Sequence, residues 1–415
     1  DSSPRHFSRD QTLQTEPFLT YFPFCSDFGP LNLSCILRFC SSLSELIREK
    51  HNVLVQSPPE IEPRTNTIFL IGCFLILERE MDPSQADLPF CRAHPTFLRS
   101  YPDASYHNVG FEISVFDAWR AVEKANREGW LKPEVLDLEE YDHYDDPNNG
   151  DMQIIVPNKL LLFKGPVEDI PEGSLWVDNH YVRMFHPRFY LEVFEEIRVK
   201  TVVRLNAPNY DPKFFEDADM EHVDLFCEDC SVPPTQVIFH FLQLLQRVDG
   251  MVAVHCDTGL GVAAMLVATY LISFHSFTAR EAISWVRIMR PGSIIGMQQL
   301  YLEEKEKVWR DAGKRMQTRC APDVTGIADL RIRKDDSWRR FAFTQAEFPA
   351  PSVILFNILL LPPLPPPDAS QLLSFPMTLL MARCCPANNL LSPSFCSSLS
   401  PPHVLAGLQQ QRRQA

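Results

Sequence analysis

No run of apolar residues in this 415-residue chain reaches the roughly 18 needed to cross a bilayer. The nearest, IFLIGCFLIL from Ile68 to Leu77, has the length of a buried core helix, so no membrane partner is expected. Basic charge is also short, with 39 Lys and Arg against 53 Asp and Glu and a formal net charge of -14. Nucleic acids are met by basic surfaces, so no nucleic-acid partner is expected either. The acidic excess serves solubility, or favours basic partners as a field effect. The 12 cysteines lack the tight, even spacing of a secreted disulfide scaffold, and the chain is far longer than such scaffolds. They are read as reduced thiols of an intracellular protein. Cys227 and Cys230 in FCEDC have CxxC spacing, but no second pair completes a zinc site. No metal or organic cofactor is expected. The chain opens at Asp1 without a charged-then-apolar leader pattern, and the expectation is a fragment of a longer protein.

What is present is a globular composition, 45% hydrophobic and 22% charged, with 35 prolines gathered largely toward the C-terminal end. The length allows two or three domains of about 150 residues. Residues 1–16 are polar and read as a loose segment. Residues 17–138 carry helical periods in GPLNLSCILRFCSSLSELIREK, TNTIFLIGCFLILERE and EISVFDAWRAVEKANREGW, with the apolar run VLVQS between the first two. They predict one α/β domain. Residues 139–150 form an acidic linker ending in turn chemistry, Asp-Pro-Asn-Asn-Gly. From 151 to 316, strand-like KLLLFKG, KTVVRLN, EHVDLFCED and MVAVHC alternate with helical RFYLEVFEEI and TQVIFHFLQLLQRV, and three helices follow. Such alternation predicts βαβ units, a mostly parallel central sheet flanked by helices, and a ligand at the carboxyl ends of the strands. Residues 317–415 show no assignable period. LLLPPLPPPDAS is of polyproline type, and the segment is read as a disordered tail or a docking peptide.

The chemistry concentrates in VAVHCDTGLGVAAMLVATY, Val252 to Tyr270. A strand runs into His255 and Cys256, then Asp257, Thr258, Gly259, Leu260 and Gly261 lead into a helix. A Gly-containing loop in that position turns its N–H groups inward, and the helix N-terminus adds about half a positive charge. A cysteine at the base of such a nest is aimed at a bound phosphorus, which makes Cys256 the candidate nucleophile. Asp229 lies just past a strand in LFCEDCSVPP, on a loop stiffened by Pro233 and Pro234, and is the candidate general acid for the leaving alcohol. Gln298 and Gln299 in RPGSIIGMQQLY open a helix and can position the water that releases a phosphoryl-cysteine.

With these residues in place, the chain resembles a known family. HCDTGLG, FCEDCSVP, AISWVRIMRPGSIIGMQQLYLEEK, DFGPLNL and FLIGCF are similar to the mitotic-exit dual-specificity phosphatases, the cell division cycle fourteen family of cysteine-dependent phosphatases, over about Phe22 to Met316. The resemblance implies two tandem phosphatase-like α/β domains joined by a linker helix, only the second bearing the nucleophile. It implies hydrolysis of phosphomonoesters in cell-cycle phosphoproteins, with a preference for phosphoserine followed by proline and a nearby basic residue. It also implies an acidic substrate-binding groove on Asp142, Asp145 and Asp151, which without the family read as a solvated acidic face. The compartment it implies is nucleus, cytoplasm or spindle.

Three residues depart from the family loop. Val262 stands where an arginine grips two phosphate oxygens with its planar fork. Ala263 replaces the hydroxyl residue that steadies the leaving cysteine. Asp257 stands where a basic residue is usual, and its carboxylate raises a thiol pKa and repels a phosphate dianion. One preorganised oxyanion donor is worth about 10² to 10³ in rate, and an arginine on a transferring phosphoryl group about 10³ to 10⁵. The expectation is therefore an impaired phosphatase acting as a substrate-binding pseudophosphatase. Two alternatives stand beside it: an active phosphatase that borrows Arg287 or Arg290, and a redox protein in which Cys256 pairs with Cys227 or Cys230. Cys256 also fits a small buried apolar residue at the start of a core helix, VAAMLVATYL.

Overall fold

The computed structural model describes residues 12–50, 53–90, 98–106, 110–132, 136–179, 182–229, 231–318 and 355–358. In the first part of the chain, β1 (Thr12–Gln14) and α1 (Leu33–Glu49) precede β2 (Val53–Gln56), which pairs parallel with β1. Helices α2 (Ile61–Arg79), α3 (Pro83–Asp87) and α4 (Val115–Arg127) follow. Helix α1 starts where the Asn32 side chain accepts from Cys35 N at 3.1 Å, and α4 starts at a capping box between Ser114 and Asp117. Helix α2 is apolar on all sides because both α1 and α4 pack on it. Its Gly72 has no Cβ, and one added there would lie 2.0 Å from the Trp119 ring. That vacancy lets the indole of Trp119 reach the α2 backbone and donate to Phe69 O at 2.9 Å.

The linker contains α5 (Leu138–Asp145), capped by Asp137, whose carboxylate accepts from the N–H groups of Glu139 and Glu140. The second part then runs β3 (Met152–Val156), β4 (Leu160–Phe163), β5 (Trp176–Asn179), β6 (Val182–Phe185) and α6 (Pro187–Glu196). It continues through β7 (Val199–Arg204), α7 (Lys213–Glu216), β8 (Glu221–Asp224), α8 (Thr235–Arg247) and β9 (Met251–His255). Helices α9 (Val262–Phe274), α10 (Ala279–Met289) and α11 (Met297–Thr318) complete it. The central sheet has the order β3-β4-β9-β7-β8, antiparallel only between β3 and β4. Strand β9 is buried at every residue, as a central parallel strand must be, and α9 behind it is buried from Val262 to Ser273. The arrangement is an α/β fold with a mostly parallel sheet flanked by helices.

The structure departs from the sequence reading at both ends. Thr12 to Glu16, read as loose, hold β1 and the start of a 3₁₀ turn, because Thr15 donates to Gln56 O through both its N–H and its hydroxyl. Four residues of the tail form β10 (Leu355–Ile358), antiparallel to β2 and occupying its second edge. The polyproline stretch, with 1–11, 319–354 and 359–415, lies outside the described residues.

The two parts are sewn together under the site. Glu281 of α10, 1% exposed, takes Arg120 Nε at 2.6 Å and Lys124 Nζ at 2.5 Å, both from α4. Trp130 stacks on Phe277 at 5.8 Å, and the Tyr141 hydroxyl of α5 donates to Met289 O at 2.9 Å. Asp103 accepts from Gly296 N at 2.6 Å, which fixes the segment leading into α11.

Burial alone would raise the Glu281 carboxyl, but the Lys124 hydrogen bond, the Thr278 N–H and the charges of Lys124 and Arg120 outweigh it, so its pKa lies below 4.5. A carboxyl lowered on folding stabilises above its unfolded pKa, and that stability is lost as pH falls through the folded value. Glu281→Gln is therefore expected to cost about 2 kcal/mol at pH 7 in urea unfolding, the scale of a hydrogen bond to a charged group. The deficit should narrow progressively below pH 4.5.

Candidate active site

Strand β9 delivers His255 and Cys256 to the carboxyl edge of the sheet, and the loop closes into α9 within six residues, 256–261. Gly259 has φ +71°, and a Cβ there would lie 2.4 Å from Phe163 O, so only glycine lets the loop rest this tightly on β4. Cys256 sits at the floor, 3% exposed. Burial pushes its thiol above 9.0, the backbone N–H groups of Ala263 and Gly259 oppose that, and the charges of Asp229 and Asp257 add to it. The nest that stabilises a thiolate is present, and the surroundings outweigh it.

Below the loop runs a chain of hydrogen bonds with no signature in sequence spacing. His255 Nδ1 lies 3.2 Å from Cys256 O, its Nε2 2.7 Å from the Tyr210 hydroxyl, and that hydroxyl 2.9 Å from His222 Nε2. Burial drives the His255 pKa down to about 3 and the His222 pKa down to about 4, so both are neutral near pH 7. Neutral His255 then donates from Nδ1 to the Cys256 carbonyl and accepts from Tyr210 at Nε2. Arg204, paired with Asp224 at 2.7 Å, donates to Tyr210 O at 2.7 Å and holds the tyrosine in place.

The two arginines considered as substitute cations are committed elsewhere. Arg290 is fully buried and donates from Nη2 to Thr258 O at 2.7 Å, from Nε to Gly259 O at 3.2 Å and from Nη1 to Asp151 O at 3.0 Å. Nη1 also reaches Gln153 Oε1, and pairs with Asp151 Oδ1 at 2.9 Å. Arg287 donates to Ser293 O, Ile294 O and Gln299 Oε1 at 3.0, 2.8 and 2.7 Å. Gln299 is thus held by Arg287, whereas Gln298 borders the loop. A Cβ on Gly261 would lie 3.4 Å from Gln298 Nε2, which donates to Ser231 O at 3.0 Å. Thr258 turns its hydroxyl inward to accept from Leu260 N at 3.3 Å, and Leu260 is buried with its carbonyl accepting from Ile294 N at 2.9 Å.

In front of Cys256 lies a pocket of about 170 Å³, lined by Asn206, Ala207, Phe226, Cys227, Glu228, Asp229, Asp257 and Val262 with Cys256 itself. It brings together the candidate nucleophile, the candidate acid and the departures at Asp257 and Val262. Among the described residues, three of the lining side chains are carboxylates and none is Lys, Arg or His. Val262 presents only methyl groups. Asn206 Nδ2 donates to Asp257 Oδ1 at 2.6 Å. Desolvation of its inner side raises the Asp257 carboxyl, that hydrogen bond lowers it, and the Asp229 charge raises it further, for a net upward shift. Cys227 is buried beside Cys256, its thiol pushed up to about 11 by burial and by its neighbour. Cys230 lies outside the described residues.

The three aspartates expected to line an acidic groove have different surroundings. Asp142, partly exposed, pairs with Arg38 at 2.6 Å, and Asp145 accepts from Gln153 Nε2 at 2.6 Å. Asp151 does not face a groove. It is 2% exposed at φ +51° and is turned inward to neutralise Arg290, so its reading as a substrate contact is corrected to a structural one.

Residues 2–125 match the family model "Dual specificity protein phosphatase, N-terminal half", and residues 190–301 match "Swiss Army Knife protein, DSP-PTPase phosphatase domain". The chain is 34% identical over 339 residues to dual specificity protein phosphatase CDC14AB of Danio rerio, covering 79% of this chain and 54% of that relative. It is 36% identical over 293 residues to CDC14A of Mus musculus, covering 69% and 47%. It is 32% identical over 309 residues to CDC14C of Homo sapiens, covering 74% and 68%. The chain spans about half the length of the first two of these relatives.

Two outcomes follow from the charges at the site. Asp257→Asn removes a carboxylate that, after burial and Asp229, raises the Cys256 thiol, so alkylation of Cys256 by iodoacetamide at pH 8, followed by peptide mass spectrometry, is expected to speed up. For the histidines, the folded pKa lies below the unfolded value of about 6.5, so the unfolded chain takes up protons first. Stability is complete above that value and falls as pH drops from it toward 4. His222→Gln is expected to flatten this decline in urea midpoints measured across the same range.

Proposed function

The chain belongs to the CDC14 family of dual-specificity protein phosphatases, and on that premise we propose that this copy is a substrate-binding pseudophosphatase, with the phosphate loop kept in shape and hydrolysis lost. The observation that carries the proposal is the charge of the pocket: Glu228, Asp229 and Asp257 surround Cys256, and among the described residues no basic side chain lines it. Phosphoryl transfer needs fixed positive charge on the equatorial oxygens, and losing an arginine from that duty costs about 10³ to 10⁵ in rate. A thiol raised above 9.0 adds a second loss, since only the thiolate attacks.

An active enzyme with a borrowed cation is disfavoured by what Arg287 and Arg290 already hold. Turning either toward the pocket would strand buried carbonyls, and for Arg290 the buried Asp151 charge as well. A redox pair of Cys256 with Cys227 is disfavoured because burial holds both thiols protonated at neutral pH. The ligands in this reading are phosphoproteins of the nucleus or cytoplasm with Ser-Pro sites followed by basic residues, met by Asp142 and Asp145. The family resemblance and the acidic net charge of -14 support that choice.

The test is hydrolysis of a phosphoserine-proline peptide and of an aryl phosphate by the unaltered chain, by Cys256→Ser and by Val262→Arg with Ala263→Thr. The unaltered chain is expected to match Cys256→Ser, while the double substitution turns over at least about a hundredfold faster, the low end of what one preorganised oxyanion donor supplies. Turnover by the unaltered chain that Cys256→Ser abolishes would overturn the reading.

A further inference from the structure

A pocket that repels phosphate has the charge to hold the opposite kind of group. We infer that the pocket in front of Cys256 receives a primary alkylammonium, the head group of a lysine side chain on a partner protein. The inference rests on the proposed loss of the phosphate grip.

The charged groups lining the pocket are all carboxylates, and Asn206 beside them adds an amide oxygen. Asn206 donates its Nδ2 to Asp257 Oδ1 at 2.6 Å, and this fixes the amide so that Oδ1 is the atom left over. That oxygen is buried and has no hydrogen-bond partner among the described residues, on a pocket-lining residue only 8% exposed. An unpaired buried acceptor is costly, and its natural complement is a donor brought by a ligand. The carboxylates of Glu228, Asp229 and Asp257 rim the same pocket and supply charge for that donor. Against them stand the half charge of the α9 N-terminus and the N–H groups of Gly259 and Ala263, which are directed at the Cys256 sulfur on the floor.

Size and shape select among cations. At about 170 Å³ the pocket falls below the roughly 300 Å³ of ordinary small-molecule sites, so it suits one head group with a few methylenes. An ammonium is compact, with three donors on one atom, whereas the guanidinium is a larger flat fork. Phe226, 60% exposed on the rim, offers a ring face to the methylene stem or the charge. Among the described residues no three His, Cys, Asp or Glu side chains converge as metal ligands would, so the fitting cation carries its own hydrogens.

The floor thiol reports the potential directly. Cys256 in the full chain is treated with aminoethyl methanethiosulfonate, which carries an ammonium, or with its sulfonatoethyl counterpart. Labelling is followed on the Cys256 peptide by mass spectrometry, and each rate is divided by the rate on free cysteine. The ammonium reagent is expected to react at least tenfold faster, the low end of electrostatic steering. Asp257→Asn and Asn206→Ala should each reduce that ratio, and butylammonium should slow labelling by N-ethylmaleimide where 1-butanol does not. A ratio near one, a faster sulfonate reagent, or equal protection by butanol would overturn the inference. If phosphopeptide hydrolysis is absent while the sulfonate reagent wins, this inference fails alone. If hydrolysis is present, its premise fails first.

Discussion

Arg290 is the cation on which the site's geometry depends. Its guanidinium is fully buried and gathers the carbonyls of Thr258 and Gly259 from the loop, the carbonyl and carboxylate of Asp151, and the side chain of Gln153 from β3. A buried charge is tolerated only when it is paired and its donors are used, and here both conditions are met by groups that must also hold the loop. Asp151 accepts a left-handed φ of +51° to make the pair. The loop is thus shaped from behind by a cation that never enters the pocket, which explains how its form survives without an arginine at the front.

The proposed function rests on this separation of shape from charge. The parts that build the nest are in place: β9, the glycines, the neutral His255 relay and the start of α9. The first half of the chain reinforces them through Asp103 on Gly296 and through the Lys124 and Arg120 pairs on Glu281, so the site is held from both sides. What faces the ligand is Val262, Asp257 and two more carboxylates. On the proposed reading, a rigid loop with reversed charge selects a partner and leaves phosphate esters intact.

Much of this was legible in the residue pattern. The apolar periods of α1, α2 and α4 predict buried faces, and MVAVHC followed by Thr258, Gly259 and Gly261 predicts a strand, a tight loop and a helix. Val262 and Asp257 stand out from the family loop by their chemistry alone. Other features have no local signal. Asp151 follows Gly150 in an acidic turn and reads as solvated, and only the approach of Arg290 from more than a hundred residues away makes it a buried partner. Tyr210 and His222 join His255 through the stacking order of β7, β8 and β9, which single-sequence spacing does not encode. The hairpin of β5 and β6 exposes Trp176 and lacks the alternation of a half-buried strand, and β10 reaches β2 from a stretch with no period.

The most direct measurement of the central claim is calorimetric titration of the unaltered chain with tungstate, an oxyanion shaped like transferring phosphate. No saturable heat is expected at millimolar tungstate, because among the described residues no cation faces the nest. Saturable binding in the micromolar range would contradict it and would mean that the loop still grips phosphate.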